Sequence, residues 1–348
     1  MPTTLSKFKS QFLVVAKWAA IVIGILIGIF VLIKVFFIIK EIISPTPPPP
    51  PTVSFGKLPP IFFPESINKK FTYSVDTLSG ELPSLPDRTK VYEMEKPGPD
   101  LLAVQRANEK VSSLGFNNKP EQLSDIQYRW TSPGPPAKSL VLNVNMASFT
   151  LYSPFLSDPT VLSGATLGNQ EDALSTAKTF LNALGLYPED IDDEKTEVEL
   201  FSINNEVLGP AESLSRAKLI SVSYFQTDKD EVKMVYPGGT NSPMNLVIGA
   251  GEREPQVVNA RFFYQRSTEE SGTYPIKTAE EAFEELKNGK GRVVNQTGDN
   301  LEIVIKNVYL GLYSEGKQQE YLMPVIVFEG NNNFMAYVSA VKDEWIEK

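Results

Sequence analysis

One stretch near the start of the chain constrains the fold more than any other feature. Residues 18–39, WAAIVIGILIGIFVLIKVFFII, contain 22 residues and a single charged side chain, Lys34. About 20 apolar residues span the hydrocarbon core of a bilayer, and Lys34 lies close enough to one end for its ammonium to reach the interface. A helix that is apolar on every face is rare inside a domain of this size. The segment therefore predicts a transmembrane helix that contacts membrane lipid over residues 18–39.

The flanks of this segment predict its orientation. Three lysines precede it, whereas Lys40 follows it beside Glu41, and an excess of positive charge places the N-terminal side in the cytoplasm. The apolar run is too long for the core of a cleaved signal peptide, and no small-x-small cleavage site follows it. We therefore expect residues 1–44 to form a cytoplasmic N-terminus and a signal anchor. The protein would be a single-pass cell-membrane protein with the bulk of its chain extracytoplasmic.

Two glycines inside the apolar segment suggest a contact between helices. Gly24 and Gly28 form a GxxxG pattern, which allows two membrane helices to approach closely. The pattern predicts a homodimer through these glycines. Because glycine is common in membrane helices, a chance occurrence is the alternative interpretation.

A proline-rich stretch separates this segment from the rest of the chain. Residues 45–52 read PTPPPPPT, and consecutive prolines form a stiff polyproline II rod. We predict a linker there, followed by a first extracytoplasmic α+β domain over 53–165 and a second over 166–348.

The composition excludes several classes of chemistry. The chain has no cysteine and no histidine, which removes disulfides, thiolate nucleophiles, most zinc sites and the commonest general base. Residues 1–44 carry a charge of +4, so the total of −9 leaves −13 on residues 45–348. An acidic body repels phosphate backbones, and nucleic-acid binding is therefore not expected. We expect no cofactor and no enzymatic activity, and a partner that is another membrane or envelope protein.

Three helices are predicted in the body of the chain. The first two, over 100–114 and 170–184, are each followed by a glycine and superpose at an offset of 70 residues, which suggests an internal repeat. The third follows Thr278, which forms a capping-box pattern with Glu281, and it ends before Gly289. We expect this short helix to bury Ala282, Phe283 and Leu286 against a sheet, because so short a helix is marginal alone.

Strand-like segments follow each helix. The last three, over 301–314, 320–330 and 333–341, predict a three-stranded meander. In the first of them the apolar alternation changes phase near Lys306–Asn307, which predicts a β-bulge. Helices laid on antiparallel sheets give an α+β fold class, with cystatin-like units that each pack one helix on one sheet.

The C-terminal half resembles a known family. The segments EDALSTAKTFLNALGL, YPIKTAEEAFEELKNGKG and IKNVYLGLYSEGKQQEYLMPVIVFEG are similar to the PepSY-like repeats of YycH/YycI-type regulatory proteins. The resemblance covers about residues 166–348, together with the predicted order of an anchor followed by an extracytoplasmic part. It implies a protein that modulates a membrane sensor kinase by protein–protein interaction, and it implies no catalytic residues.

Three other interpretations stay open from the sequence. An envelope peptide- or glycan-binding module would be favoured by an aromatic-lined pocket. A carboxylate-based hydrolase would need two acidic side chains in one cleft. Asp190, Asp192 and Glu194 leave a weak calcium loop as an alternative to a solvated turn, although Lys195 stands where such a loop needs glycine. Trp130 and Trp345 are expected to be core or interface residues rather than ligand-stacking ones.

Overall fold

A computed structural model describes residues 18, 23–36, 50–63, 67, 69–98, 100–134 and 137–347. The chain divides into two compact units, residues 1–50 and 51–348. Strands account for 39% of the structure and helices for 20%. The protein is therefore mostly β.

The first unit bears on the predicted membrane anchor. Its described residues are helical at Trp18 and over 23–36. None of the helices in the described residues combines the length and the apolar character that a bilayer crossing requires. This finding overturns the predicted signal anchor and the single-pass membrane localisation derived from it. Residues 1–17, 19–22 and 37–49, which include most of the predicted linker, lie outside the described residues.

The second unit contains seventeen strands and four α-helices among its described residues. In chain order the strands are β1 (Thr72–Val75), β2 (Arg88–Met94), β3 (Glu121–Gln122), β4 (Gln127–Thr131), β5 (Ser139–Asn143), β6 (Ala147–Tyr152), β7 (Glu197–Asn204), β8 (Val207–Pro210), β9 (Leu219–Tyr224), β10 (Lys233–Val235), β11 (Met244–Ala250), β12 (Pro255–Tyr264), β13 (Ser267–Pro275), β14 (Arg292–Asn295), β15 (Glu302–Tyr313), β16 (Tyr321–Gly330) and β17 (Met335–Ser339). The helices are α1 (Ala103–Ser113), α2 (Pro159–Ser163), α3 (Gln170–Leu184) and α4 (Ala279–Lys287).

One sheet contains nine strands in the order β3-β4-β5-β6-β12-β11-β9-β7-β8, and every neighbouring pair is antiparallel. Its strands come from both sides of residue 165. The pairing of β6 with β12 joins the two groups, with Phe149 opposite Phe262 and their rings stacked 5.2 Å apart. Strands β5 and β6 form a hairpin, because the side chain of Asn143 accepts the backbone N–H groups of Asn145 and Met146 and closes a turn between them.

Helices α1 and α3 lie side by side on this nine-stranded sheet. Both helices bury small residues, Ala103 and Ala107 on α1 and Ala173 and Ala177 on α3. Both helices contribute to a single core together with β4, β5, β6, β7, β9, β11 and β12. The two helices of the proposed repeat therefore share one sheet instead of each having its own.

The other sheet contains eight strands and is mixed. Its path is β1-β15-β16-β17-β14, with β10 beside β15, β2 beside β16, and β13 beside β2. Strands β1 and β10 are parallel to β15, and the remaining pairs are antiparallel. The predicted meander is confirmed as β15-β16-β17.

Helix α4 covers one face of this meander, as predicted. The Thr278 side chain accepts the Glu281 N–H, and the Glu281 carboxylate accepts the Thr278 N–H, which confirms the capping box. Ala282 and Leu286 are buried, and Phe283 is half-buried against the ring of Phe328. Burying a side chain such as Leu286 stabilises the fold by about 1.5–3 kcal/mol. Because a helix this short is marginal alone in water, packing against the sheet stabilises it.

The predicted β-bulge is confirmed. The β15–β16 register shifts between Ile305 and Asn307. As a result Ile303 and Ile305 before the shift, and Val308 after it, all face the core beneath α4.

The predicted fold class is wrong. The α+β assignment expected repeated units of one helix on one antiparallel sheet. The described residues instead form a mostly β structure of two sheets, one of which carries α1, α2 and α3 together. The reason is long-range strand pairing: β6 with β12 merges two predicted units, and β1 and β10 are recruited from far along the chain to β15.

Candidate functional site

A cleft of about 470 Å³ lies where the eight-stranded sheet faces the start of β7 and the segment after β9. We call it the intersheet cleft. Strands β10, β15, β16 and β17 contribute one wall, and residues 194–197 with 225–228 contribute the other. The lining residues are Glu194, Lys195, Thr196, Glu197, Phe225, Gln226, Asp228, Lys233, Met234, Val235, Tyr236, Gly239, Thr240, Tyr309, Glu329 and Met335.

The bulge in β15 determines which side chains reach the cleft. After the register shift the even-numbered Val308 and Leu310 pack toward α4. Because successive side chains of a strand point to opposite faces, Tyr309 faces the cleft and Gly311 lies on the same face of β15. A Cβ at Gly311 would lie 2.9 Å from Val235 Cγ1, so glycine at this position allows β10 to lie against β15 and form the cleft wall.

Tyr309 and Glu329 form a fixed polar pair within the cleft. Tyr309 Oη donates to Glu329 Oε1 at 2.7 Å, and Asn307 Nδ2 donates to Glu329 Oε2 at 3.2 Å. Burial of the ring, and then the neighbouring Glu329 carboxylate, raises the pKa of Tyr309. The phenol therefore stays protonated and remains a hydrogen-bond donor to Glu329 at neutral pH.

Lys233 is a cation available to a ligand. Its Nζ lies 4.8 Å from the centroid of the Tyr309 ring, a distance at which an ammonium is attracted to an aromatic face. Within the described residues Lys233 takes part in no ion pair, and its side chain is exposed. It can therefore bind an anion without first breaking a salt bridge.

The opposite wall carries the other lysine of the cleft, Lys195, which is already paired. Its Nζ lies 2.7 Å from Asp228 Oδ1 and 3.2 Å from Asp192 Oδ2. Burial acts to lower the pKa of Lys195, but the two carboxylates outweigh it and raise that pKa. Asp228 also accepts the backbone N–H of Met234 at 3.2 Å. Lys195 therefore connects the start of β7 to the segment that leads into β10.

Glu197 differs from the paired acids of the cleft. Partial burial, and then the nearby Glu199 carboxylate, raises its pKa. Within the described residues no cation forms an ion pair with it. The cleft thus presents a free carboxylate on one wall and a free ammonium on the other.

Two buried tyrosines, Tyr236 and Tyr337, hold a turn at the edge of the cleft in place. Tyr337 Oη donates to the Tyr236 carbonyl oxygen at 2.9 Å, and Tyr236 Oη accepts the Gln226 N–H at 3.0 Å. Both tyrosines are buried. These bonds hold the Tyr236–Thr240 turn, which forms one lip of the cleft.

Of the residues singled out in the sequence, Glu194 and Lys195 line the intersheet cleft, and the others lie outside its lining. A Cβ at Gly24 or Gly28 would meet no atom within 4 Å in the described residues, and pairing of two chains through them stays a prediction. Asp192 binds Lys195 and Asp190 accepts from Gln226. In the part of the chain that the structure describes, no group of three or more acidic residues is arranged to hold a metal ion.

The tryptophans behave as expected for core residues. Trp130 is only 1% exposed, and its Nε1 donates to Asn108 Oδ1 at 2.7 Å, which ties β4 to α1. Trp345 is half-buried against Tyr274 in a separate small core.

Comparisons with known proteins identify neither a family nor a function for this chain. No family model matches the sequence, and no curated protein matches it. Among solved structures, one similar chain is an uncharacterized protein from Eubacterium rectale. It is 13% identical, the match covers 79% of this chain and 90% of that one, and the TM-score is 0.34. At that score the likeness supports no argument, and the resemblance to PepSY-like regulators stays a prediction.

Proposed function

We propose that the chain is a non-enzymatic binding module whose intersheet cleft holds a peptide segment of another protein. One observation carries this proposal: an ammonium and a carboxylate that form no ion pair among the described residues, Lys233 and Glu197, lie on opposite walls of one cleft of about 470 Å³. Peptides offer both charges together with backbone donors and acceptors. The proposal keeps the predicted role in protein–protein interaction and gives it a location.

A glycan is the weaker alternative for the same cleft. Sugars are held by open aromatic faces, but Lys233 already covers the Tyr309 ring. Tyr236 is only 2% exposed and packs against Phe225 at 6.0 Å. The aromatic side chains of the cleft therefore act as supports for its walls.

A carboxylate-based hydrolase is the second candidate, because Glu197 and Glu329 line the same cleft and the pKa of Glu197 is raised. A raised pKa suits a general acid. However, Glu329 accepts hydrogen bonds from Tyr309 and Asn307, which engage both of its oxygens. We therefore assign these carboxylates to binding.

The full chain should be tested on a peptide array and a glycan array, with variants that fill the cleft. Thr240 is exposed at the cleft lip, and Thr240→Trp would place an indole in the opening. Thr150→Trp is the matched control, because Thr150 is exposed on β6 of the other sheet. We expect peptide binding that Thr240→Trp abolishes and Thr150→Trp keeps. Glycan binding alone, or turnover of a glycoside that Glu197→Gln abolishes, would overturn the proposal.

A further inference from the structure

The edge of β15 that faces away from β16 has a gap in its strand partners. On this edge β1 pairs with residues 302–305 and β10 pairs with residues 311–313. Residues 306–310 between them pair with no strand on this edge within the described residues. We call this stretch the β15 window. Its first residue, Lys306, forms an ion pair with Asp76. Its last residue, Leu310, precedes Gly311, which pairs with Lys233 of β10.

The backbone of the β15 window points toward the gap. Ser314 N donates to Val235 O at 3.0 Å on this edge, and alternate residues of a strand direct their N–H and C=O groups to the same side. Val308 therefore directs both groups into the window, and Leu310 directs its N–H there, whereas the Leu310 carbonyl oxygen accepts the Lys233 N–H in the parallel pairing of Lys233 with Gly311. None of the loop or turn hydrogen bonds of the described residues involves the backbone of Val308 or Leu310.

The size and direction of the window suit a short extended peptide. At about 3.3 Å per residue, the separation from Ile305 to Gly311 is about 20 Å, room for about four residues of added strand. Both flanking strands run parallel to β15. A peptide that follows the same direction has its N-terminal end near Asp76 and its C-terminal end near Lys233.

Of the charged side chains at the two ends of the window, Asp76 forms an ion pair and Lys233 forms none within the part of the chain that the structure describes. Asp76 is already neutralised by Lys306, whereas Lys233 is free and lies over Tyr309 inside the intersheet cleft. A carboxylate at the C-terminal end of the peptide would therefore meet an unpaired ammonium.

We propose that the ligand is an extended peptide that adds to β15 as a short parallel strand between β1 and β10, with its terminal carboxylate bound by Lys233. The inference rests on the proposed function and names the ligand class and its register. Main-chain hydrogen bonds to both groups of Val308 and to the N–H of Leu310 supply the affinity common to all such peptides. The bond to Lys233 selects a free C-terminus.

The test uses the full chain and a hexapeptide library tethered by its N-termini, prepared in free-acid and amidated forms. Binders should come from the free-acid form, and the tightest one should slow hydrogen exchange at the amides of Val308 and Leu310. Lys233→Gln should weaken its binding about three- to tenfold, because one charge-assisted contact is lost. Lys178→Gln, which removes another lysine placed over a tyrosine ring at 4.9 Å, should leave affinity unchanged.

The outcomes separate this inference from the proposed function. Binding that Thr240→Trp abolishes, but that leaves exchange at Val308 and Leu310 unchanged, overturns the added strand and keeps the cleft as a binding site. Equal binding of free-acid and amidated peptides overturns the role of Lys233. If no peptide in either library binds, the proposed function fails and this inference fails with it.

Discussion

The ammonium of Lys277 lies 2.9 Å from the carboxylate of Glu285, and the Lys277 residue is only 7% exposed. The same Nζ is 2.8 Å from Asp343 Oδ1. Lys277 thus joins helix α4 to the turn Asp343–Trp345 near the C-terminal end of the chain. A buried cation in this position is favourable only while both carboxylates remain in place.

Replacing Lys277 by methionine should destabilise the second unit. The variant keeps the apolar stem but leaves Glu285 partly buried without its cation, which costs about 1–3 kcal/mol. The control is Lys287→Met on the same helix, where the lysine pairs with the exposed Glu284. This substitution should change the free energy of unfolding by less than about 0.5 kcal/mol. Urea unfolding of both variants measures the difference, and equal losses would contradict the assigned role of Lys277.

Glu315 should give the protein a stability that depends on pH. Burial raises its pKa above the ordinary value of 4.5, despite the Phe62 N–H that its carboxylate accepts at 3.0 Å. A group whose pKa is raised on folding stabilises the fold below its unfolded pKa, and that contribution is lost as pH rises through the folded-state pKa. Wild type should therefore gain stability as pH falls from neutral toward 4.5, by an increment that Glu315→Gln lacks.

Denaturant titrations at several pH values measure this increment. Glu302→Gln, at an exposed position on β15, is the control and should follow the wild-type profile. Parallel profiles for wild type and Glu315→Gln would show that the Glu315 carboxyl is solvated in the folded state.

Gly311→Ala should separate β10 from β15. The added methyl would lie 2.9 and 3.0 Å from the two Cγ atoms of Val235, and overpacking of this kind costs about 1–3 kcal/mol. Val235→Ala in the same chain should recover part of that loss, which a double-mutant cycle detects. Gly209→Ala on β8, where a Cβ meets no described atom within 4 Å, should be close to neutral.

Deleting Lys306 should prevent the eight-stranded sheet from forming. Without the extra residue, either Ile303 and Ile305 or Val308 and Leu310 must turn away from the core beneath α4. Lys306→Ala keeps the bulge and loses only an exposed ion pair with Asp76, so it should fold normally. Circular dichroism and hydrogen exchange distinguish the two variants, and a folded deletion variant would refute the structural role of the bulge.

Local signals in the sequence predict local features of the fold well. The capping box at Thr278 and Glu281 involves residues three apart, and the bulge near Lys306 is visible as a change of phase within one strand. The merging of two predicted units into one sheet depends instead on β6 and β12, which lie about a hundred residues apart. Nothing in either strand specifies its distant partner, and the predicted fold class was wrong for that reason.

The sequence does not predict the candidate site, for a similar reason. Its residues come from separate segments, and neither Lys233 nor Glu329 belongs to a recognisable motif. One usable signal was present: once the bulge is recognised, Tyr309, Gly311 and Tyr313 must lie on the face of β15 opposite α4. An aromatic face with a glycine in its middle would have pointed to a second surface on this strand.

The pairing of β6 with β12 also has a consequence for synthesis of the chain. When the ribosome has made β3–β6 and helices α1 and α3, the strand that completes their sheet is not yet translated. Until residues 255–264 emerge, β6 exposes a row of unpaired backbone groups, and such edges recruit strands from other chains. Premature termination between residues 153 and 254 would therefore produce fragments in which β6 is an unpaired, aggregation-prone edge strand, which quality-control factors must shield or degrade.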